Sequence, residues 1–238
     1  MIPKIIHQIW IGENKMPLLW MKSFYNDYIK AFPDWKYVLW TETEIDKLNL
    51  INQEIYDKES TYWGKSDILR YELLFRFGGI YIDADSVWVN NKNLEECINE
   101  ASSTDLFFAK SHCQGQIANG VIGSSPNNPF FMEIMQKIIP RYKLMINEHV
   151  AVKIGPVFIT KILENHKATI FPPEYFYPSA WGQTENCLTH KEIKIPNCSF
   201  MYQYGYSSNL TVGGNLYKKM NEQIYDGDEY KIPVNDLV

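Results

Sequence analysis

The sequence predicts an α/β fold built on a mostly parallel sheet, and three observations carry that reading. Apolar runs such as I-I-H-Q-I-W-I and Y-V-L-W are nearly continuous, as strands covered on both faces require. Segments of helical period alternate with them up to residue 85. The chain, at 238 residues, is long enough to bury a good-sized core, and it shows no repeat or linker, so one domain over 1–238 is expected.

Residues 2–12 predict the first strand, with Ile5, Ile6, Ile9, Trp10 and Ile11 running into a turn at Gly12. His7, inside that run, reads as a core histidine. Residues 17–32 suit a helix with Pro17 in its first turn and Leu18, Met21, Phe24, Tyr28 and Phe32 along one face. A turn and a second strand follow over 33–40. Thr41 with Glu44 three residues on is a capping box, opening short helices over 42–48 and 51–58.

Residues 66–85, S-D-I-L-R-Y-E-L-L-F-R-F-G-G-I-Y-I-D-A-D, organise the chain. At about 100° per helical residue, Lys65, Glu72 and Arg76 share one side, the expected solvent face. Asp67 and Arg70 fall on the other, beside Tyr71 and Leu74. A carboxylate and a guanidinium aimed inward must be paired, hydrogen-bonded or facing a ligand cleft. Gly78-Gly79 ends the helix with residues that tolerate positive φ, and residues 80–82 form a strand. Side chains alternate along a strand, so Asp83 and Asp85 project to one side. Two such carboxylates are hard oxygen ligands suited to Mn2+ or Mg2+. In open α/β sheets ligands gather at the carboxyl ends of strands, where this reading puts both Trp10 and Asp83.

Beyond residue 85 the pattern predicts an edge strand over 86–89, a short helix over 94–99 and strands over 106–110 and 116–123. A helix over 130–139 is expected to close at Pro140. Gly155-Pro156 reads either as a turn or as the start of a helix, and Asn119-Gly120 either as a turn or as part of a site. Residues 172–190 are dense in proline, glycine and aromatics and predict an irregular connection. Residues 214–225 predict a helix, and the acidic tail from Asp226 is expected to be poorly ordered.

A net charge of −5 argues against a broad nucleic-acid surface. Four cysteines without C-x-x-C spacing argue against a zinc or redox motif. No run of about 20 apolar residues and no signal peptide is present, which predicts a cytoplasmic protein without a membrane span.

The pattern S-D-x-x-R followed by F-G-G-x-Y-x-D-x-D resembles the glycosyltransferase family 32 type of sugar transferases. It is more distantly similar to the catalytic domain of the large clostridial glucosylating toxins. The resemblance implies a GT-A-type nucleotide-diphospho-sugar transferase fold. It also implies metal-dependent, retaining transfer from a nucleotide-sugar donor, a UDP-sugar favoured over a GDP-sugar, to a glycan, lipid-linked or protein acceptor. By the same resemblance Trp10 stacks on the nucleotide base and Ile9 supplies backbone hydrogen bonds. Asp67 and Arg70 hold the sugar hydroxyls and the phosphate side of the donor, with Tyr71 beside them. Asp85 is the direct metal ligand, while Asp83 acts through water and the ribose. The segment A-N-G-V-I-G-S-S-P places Asn119 near the donor sugar. Residues 200–209, F-M-Y-Q-Y-G-Y-S-S-N, fall where the family carries H-x-W-x-x-S-W. Ser207 matches the serine, a ligand to donor and metal. The histidine is absent, leaving Tyr202 or Gln203 in its slot, Tyr204 stands at the tryptophan, and the last tryptophan is missing. Two other readings are open: a nucleotide-sugar hydrolase, and a catalytically silent binding protein.

Overall fold

The computed structural model describes residues 1–112, 116–178, 194–205 and 237. Ser207, the helix expected over 214–225 and the tail from Asp226, apart from Leu237, lie outside these residues.

The strands are β1 (Ile5–Ile9), β2 (Lys36–Trp40), β3 (Gly79–Ile82), β4 (Ser86–Trp88), β5 (Leu106–Lys110), β6 (Ile117–Ser124), β7 (Thr169–Phe171) and β8 (Met201–Gln203). Six of them make one sheet in the order β2-β1-β3-β6-β5-β7, and β4 pairs with β8 in a second, two-stranded sheet. β1 runs parallel to β2 and β3, β5 runs parallel to β7, and β6 alone runs against its neighbours. The expected α/β architecture is therefore present, with the reversed β6 beside the strand that leads to Asp83. Residues 86–88 leave the main sheet instead of extending it as an edge strand.

Each face of the large sheet is covered. One core gathers Trp20, Phe24, Tyr28, Ile80, Phe107 and Phe200; the other gathers Trp40, Leu69, Tyr71, Phe108, Phe131 and Phe158. The first helical segment is α1 (Leu18–Lys22), a π-helical stretch (Ser23–Tyr28) and α2 (Ile29–Ala31), where one regular helix is expected. The wider π turn lies where two helix side chains reach the neighbouring β4 region. Ser23 Oγ accepts from Trp88 N at 2.7 Å, and Tyr28 Oη accepts from Leu94 N at 3.0 Å.

Thr41 and Glu44 form the expected capping box at the start of α3 (Glu42–Ile45), followed by α4 (Gln53–Lys58). α5 (Tyr62–Phe77) begins one turn earlier than the motif suggests, capped by Thr61, whose side chain accepts from Gly64 N. It ends at Gly78 and Gly79, with φ of 64° and 93°. Glu72 departs from the helical wheel: it is 1% exposed rather than on the solvent face. The chain ahead of α4 folds across α5, so Glu72 accepts from Ile51 N and pairs with Arg76 at 2.6 Å.

After α6 (Glu95–Glu100), α7 (Pro129–Leu144) runs through Pro140 instead of closing there. Pro140 is exposed, while Tyr142 beyond it is buried and donates to Glu59, and Arg141 donates to the carbonyls of Val152 and Lys153. These contacts hold the last turn in place despite the missing amide. α8 (Val150–Lys153) leads to α9 (Pro156–Leu163), so Gly155-Pro156 opens a helix, as one of its two readings has it.

Candidate active site

The site forms where the carboxyl ends of β1 and β3 meet the first turns of α5. A cleft of about 230 Å3 opens there, with Ile9 and Trp10 on one wall, Tyr62, Trp63, Ser66 and Arg70 on the other, and Asp83 and Asp85 at its base. Trp10 sits edge-on to Trp20, 6.0 Å between ring centroids, and its indole N–H donates to Asn14 O at 2.6 Å. Both contacts hold the ring at the mouth.

Arg70 is the hub. It is 4% exposed, and its guanidinium reaches Asp67 Oδ1 at 3.1 Å, Asp83 Oδ1 at 3.2 Å and the Asn119 carbonyl at 2.5 Å. It also lies over the Tyr81 ring, 4.4 Å from the centroid. Burial opposes its charge, but Tyr81, Asp83 and Asp67 outweigh burial and raise its pKa, so the cation persists. Tyr81 stands two residues before Asp83 on the same strand face, and its hydroxyl donates to Asp83 Oδ1 at 2.8 Å. Gln8, on β1, donates to the Asp83 carbonyl at 3.3 Å while accepting from Tyr37. Asp83 is thus held from three elements.

Behind Arg70, Asn119 Nδ2 donates to Asp67 Oδ1 at 2.8 Å, and the Tyr71 hydroxyl donates to the Ile154 carbonyl at 2.8 Å. Asp67 is 6% exposed, and burial, against the pull of Arg70 and with a further push from Asp83, raises its pKa to about 7. Gly155, at the start of α9, leaves room for it: a Cβ there would lie 2.9 Å from Asp67 Oδ2. His7 is fully buried as expected, taking the Trp40 indole N–H at Nδ1 and donating to the Gly78 carbonyl at 2.8 Å. That assigns the neutral tautomer, and burial lowers its pKa to about 4.

The sequence-predicted residues therefore divide. Ile9, Trp10, Arg70, Asp83 and Asp85 border one cleft. Asp67, Tyr71 and Asn119 form the layer behind it, with Tyr71 wholly buried. Asn119-Gly120 is no turn; it lies within β6.

Two further residues complete the centre: Gln203, which the sequence offered only as an alternative to Tyr202, and Gly120, which it offered only as part of an Asn-Gly pair. Gln203, the last residue of β8, donates through Nε2 to Asp83 Oδ2 at 2.7 Å and to Asp85 Oδ1 at 3.3 Å. The β4–β8 pairing puts Ser86 opposite Gln203, which carries the amide to the aspartates. Of the two residues offered for the histidine slot, Gln203 is the one whose side chain meets the aspartates. Gly120 is the second. A Cβ there would stand 2.6 Å from Asp83 Oδ2 and 3.2 Å from Gln203 Nε2, so only glycine permits this approach. A glycine inside an otherwise good strand was the available sign.

The oxygens present fit a hard divalent cation. Two carboxylates converge within hydrogen-bond reach of a single amide nitrogen, and an amide can also turn its own oxygen inward. Among the described residues no group of three His, Cys, Asp or Glu side chains gathers for a metal, and the oxygens there within reach of a shared cation are those of Asp83, Asp85 and the Gln203 amide.

A family model for the glycosyltransferase sugar-binding region containing the DXD motif matches residues 19–104. A mannosyl phosphorylinositol ceramide synthase of Saccharomyces cerevisiae is 30% identical, the match covering 94% of this chain and 57% of the yeast protein, so the chain spans little more than half of that relative. An uncharacterized glycosyltransferase of Acanthamoeba polyphaga mimivirus is 30% identical, over 79% of this chain and 77% of its own length. Among solved structures, the PaToxG glycosyltransferase superposes with a TM-score of 0.55 at 20% identity, over 68% of this chain and 69% of that one, and shares the fold.

Proposed function

This chain belongs to the glycosyltransferases that carry a DXD sugar-binding region, and on that footing we propose a metal-dependent, retaining transfer from a nucleoside-diphosphate sugar to an acceptor hydroxyl. The observation that carries this reading is the convergence of Asp83 and Asp85 on Gln203, at the base of a cleft walled by Trp10 and Arg70.

Asp85, Asp83 and Gln203 would hold Mn2+ or Mg2+. When bound, the cation supplies positive charge where the departing diphosphate gains negative charge. The remaining work falls to the chain. Trp10 offers its face to the nucleotide base. Arg70 fixes Asp83 Oδ1 and presents permanent positive charge to the phosphate side of the donor. Asp67 and Asn119, tied to Arg70 behind the cleft, set the orientation of its fork. The buried, preorganised arrangement of these groups is the source of rate enhancement, since nothing must reorient as charge develops.

The name of the yeast relative puts a mannosyl donor first and an inositol-bearing lipid among the acceptors, with UDP-sugars next. The test is a thermal-shift and hydrolysis panel of GDP-mannose and UDP-sugars with Mn2+, Mg2+ or chelator. One sugar nucleotide should raise the melting temperature and be turned over only with metal. Asp85→Asn should abolish turnover at an unchanged melting temperature. Retained turnover in Asp85→Asn, or binding of no sugar nucleotide, overturns the reading.

A further inference from the structure

Tyr177 lies outside every motif read above, yet its hydroxyl faces the same centre. The residue is 3% exposed, and its ring is packed in the core that contains Phe176 and Phe200. Its backbone is pinned at both ends: its amide donates to Pro173 O at 2.7 Å, and His112 Nε2 donates to its carbonyl at 2.6 Å. The ring itself is held by its packing in that core. Its hydroxyl lies 3.1 Å from the point where a Gly120 Cβ would stand, the same point that lies 2.6 Å from Asp83 Oδ2 and 3.2 Å from Gln203 Nε2.

That O–H donates to no acceptor among the described residues; the Val121 amide lies against the hydroxyl oxygen and leaves its proton unused. Burial first, then the charges of Asp83 and Asp85, raise its pKa against Arg70 and the Val121 amide, so it stays protonated and is a donor. A buried donor left unused costs stability that a phenylalanine would not. A fixed, unspent O–H beside a ligand-binding carboxylate is a group waiting for an oxygen.

Resting on the transferase reading, we propose that Tyr177 is a ligand-binding residue whose hydroxyl donates a hydrogen bond to an oxygen arriving with the sugar nucleotide. That oxygen belongs to the donated sugar, to the diphosphate, or to a water carried in by the cation at Asp83. Tyr177 thereby adds a neutral donor opposite the charged Arg70 side of Asp83, where it reads oxygen position without repelling or neutralising the diphosphate.

The experiment compares Tyr177→Phe with the parent chain, by melting temperature and by calorimetry. The probes are Mn2+ alone, GDP or UDP with Mn2+, and GDP-mannose or UDP-glucose with Mn2+. Without ligand the variant should melt at the same temperature as the parent or higher. Its affinity should fall about tenfold, the scale of one hydrogen bond in a desolvated site. A loss confined to the sugar nucleotide assigns the contact to the sugar, a loss shared with the nucleotide assigns it to the diphosphate, and a loss with Mn2+ alone assigns it to a cation-borne water. Equal affinities for all probes overturn the proposal, as does a variant that melts lower without ligand, since the hydroxyl then has a protein partner. A parent that binds none of the probes sinks the transferase reading and this one together, whereas parent binding matched by the variant sinks only this one.

Discussion

Gln203 and Asp83 stand 120 residues apart in sequence, and Gln203 Nε2 donates to Asp83 Oδ2 at 2.7 Å, with Asp85 Oδ1 at 3.3 Å on its other side. One neutral amide thus separates two carboxylates that would otherwise repel. Gln203→Leu removes the donor that both carboxylates share. In chelator the variant should be less stable by about 1.5–3 kcal/mol, the worth of a hydrogen bond to a charged group. Mn2+ should recover part of that loss by neutralising the pair. Gln203→His, which restores the residue type the resemblance expects, should bind Mn2+ more tightly than the parent, because imidazole is the better ligand. Calorimetric Mn2+ affinities that do not differ among the three proteins would separate Gln203 from the cation site.

The would-be Cβ of Gly120 lies 2.6 Å from Asp83 Oδ2, too close for any real contact. Gly120→Ala must push the carboxylate or the strand aside. Misplacing a catalytic group by about 1 Å costs on the order of 100-fold in rate, and the same loss is expected in sugar-nucleotide turnover. Overpacking should cost about 1–3 kcal/mol in stability. Turnover within about twofold of the parent, a change too small to reflect a displaced carboxylate on the same scale, would show that Asp83 does not need its present position.

These two residues mark the limit of what the chain reveals in sequence. Asp67, Arg70, Asp83 and Asp85 were legible because one helix period, one double glycine and one strand alternation place them, all within residues 66–85. Trp10 was legible because strand ends collect ligands in α/β sheets, and Ile9 only through the family resemblance. Gln203 reaches the centre only through the β4–β8 register, and Gly120 only through the β3–β6 register, and neither pairing is written in local pattern. Glu72 failed for a related reason: a helical wheel cannot register a distant segment crossing it. That segment brings the Ile51 amide to the carboxylate and turns a solvent face inward.

Trp10 borders the cleft, its indole N–H donates to Asn14 O, and base stacking is the contact expected of its ring. Trp10→Ala should weaken nucleotide binding by about 1–3 kcal/mol, the scale of base–aromatic stacking. The loss should be shared by GDP and UDP, because stacking does not read hydrogen-bond edges. Unchanged calorimetric affinity removes Trp10 from the site.

Asp67 gives the pH dependence a sign that runs against the usual carboxylate. Burial lifts its pKa in the folded chain to about 7, from an ordinary 3.8, even with Arg70 beside it. Between those two values the folded state holds a proton that the unfolded chain has released. Stability from this group is therefore complete below about pH 4 and is lost as pH rises through about 7. His7 works the other way: its pKa is lowered from 6.5 to about 4, so its contribution is present above 6.5 and lost as pH falls through about 4. A plain pH–stability curve mixes the two. Asp67→Asn separates them, since His7 is common to both proteins and asparagine does not titrate. The melting temperature of the parent minus that of Asp67→Asn should decline steadily from about pH 4 to about pH 7 and then level. A difference that instead stays flat across that window would mean the Arg70 pair keeps Asp67 ionised throughout. In that case Asp67 serves the site as a fixed charge rather than as a group that can hold a proton near neutrality.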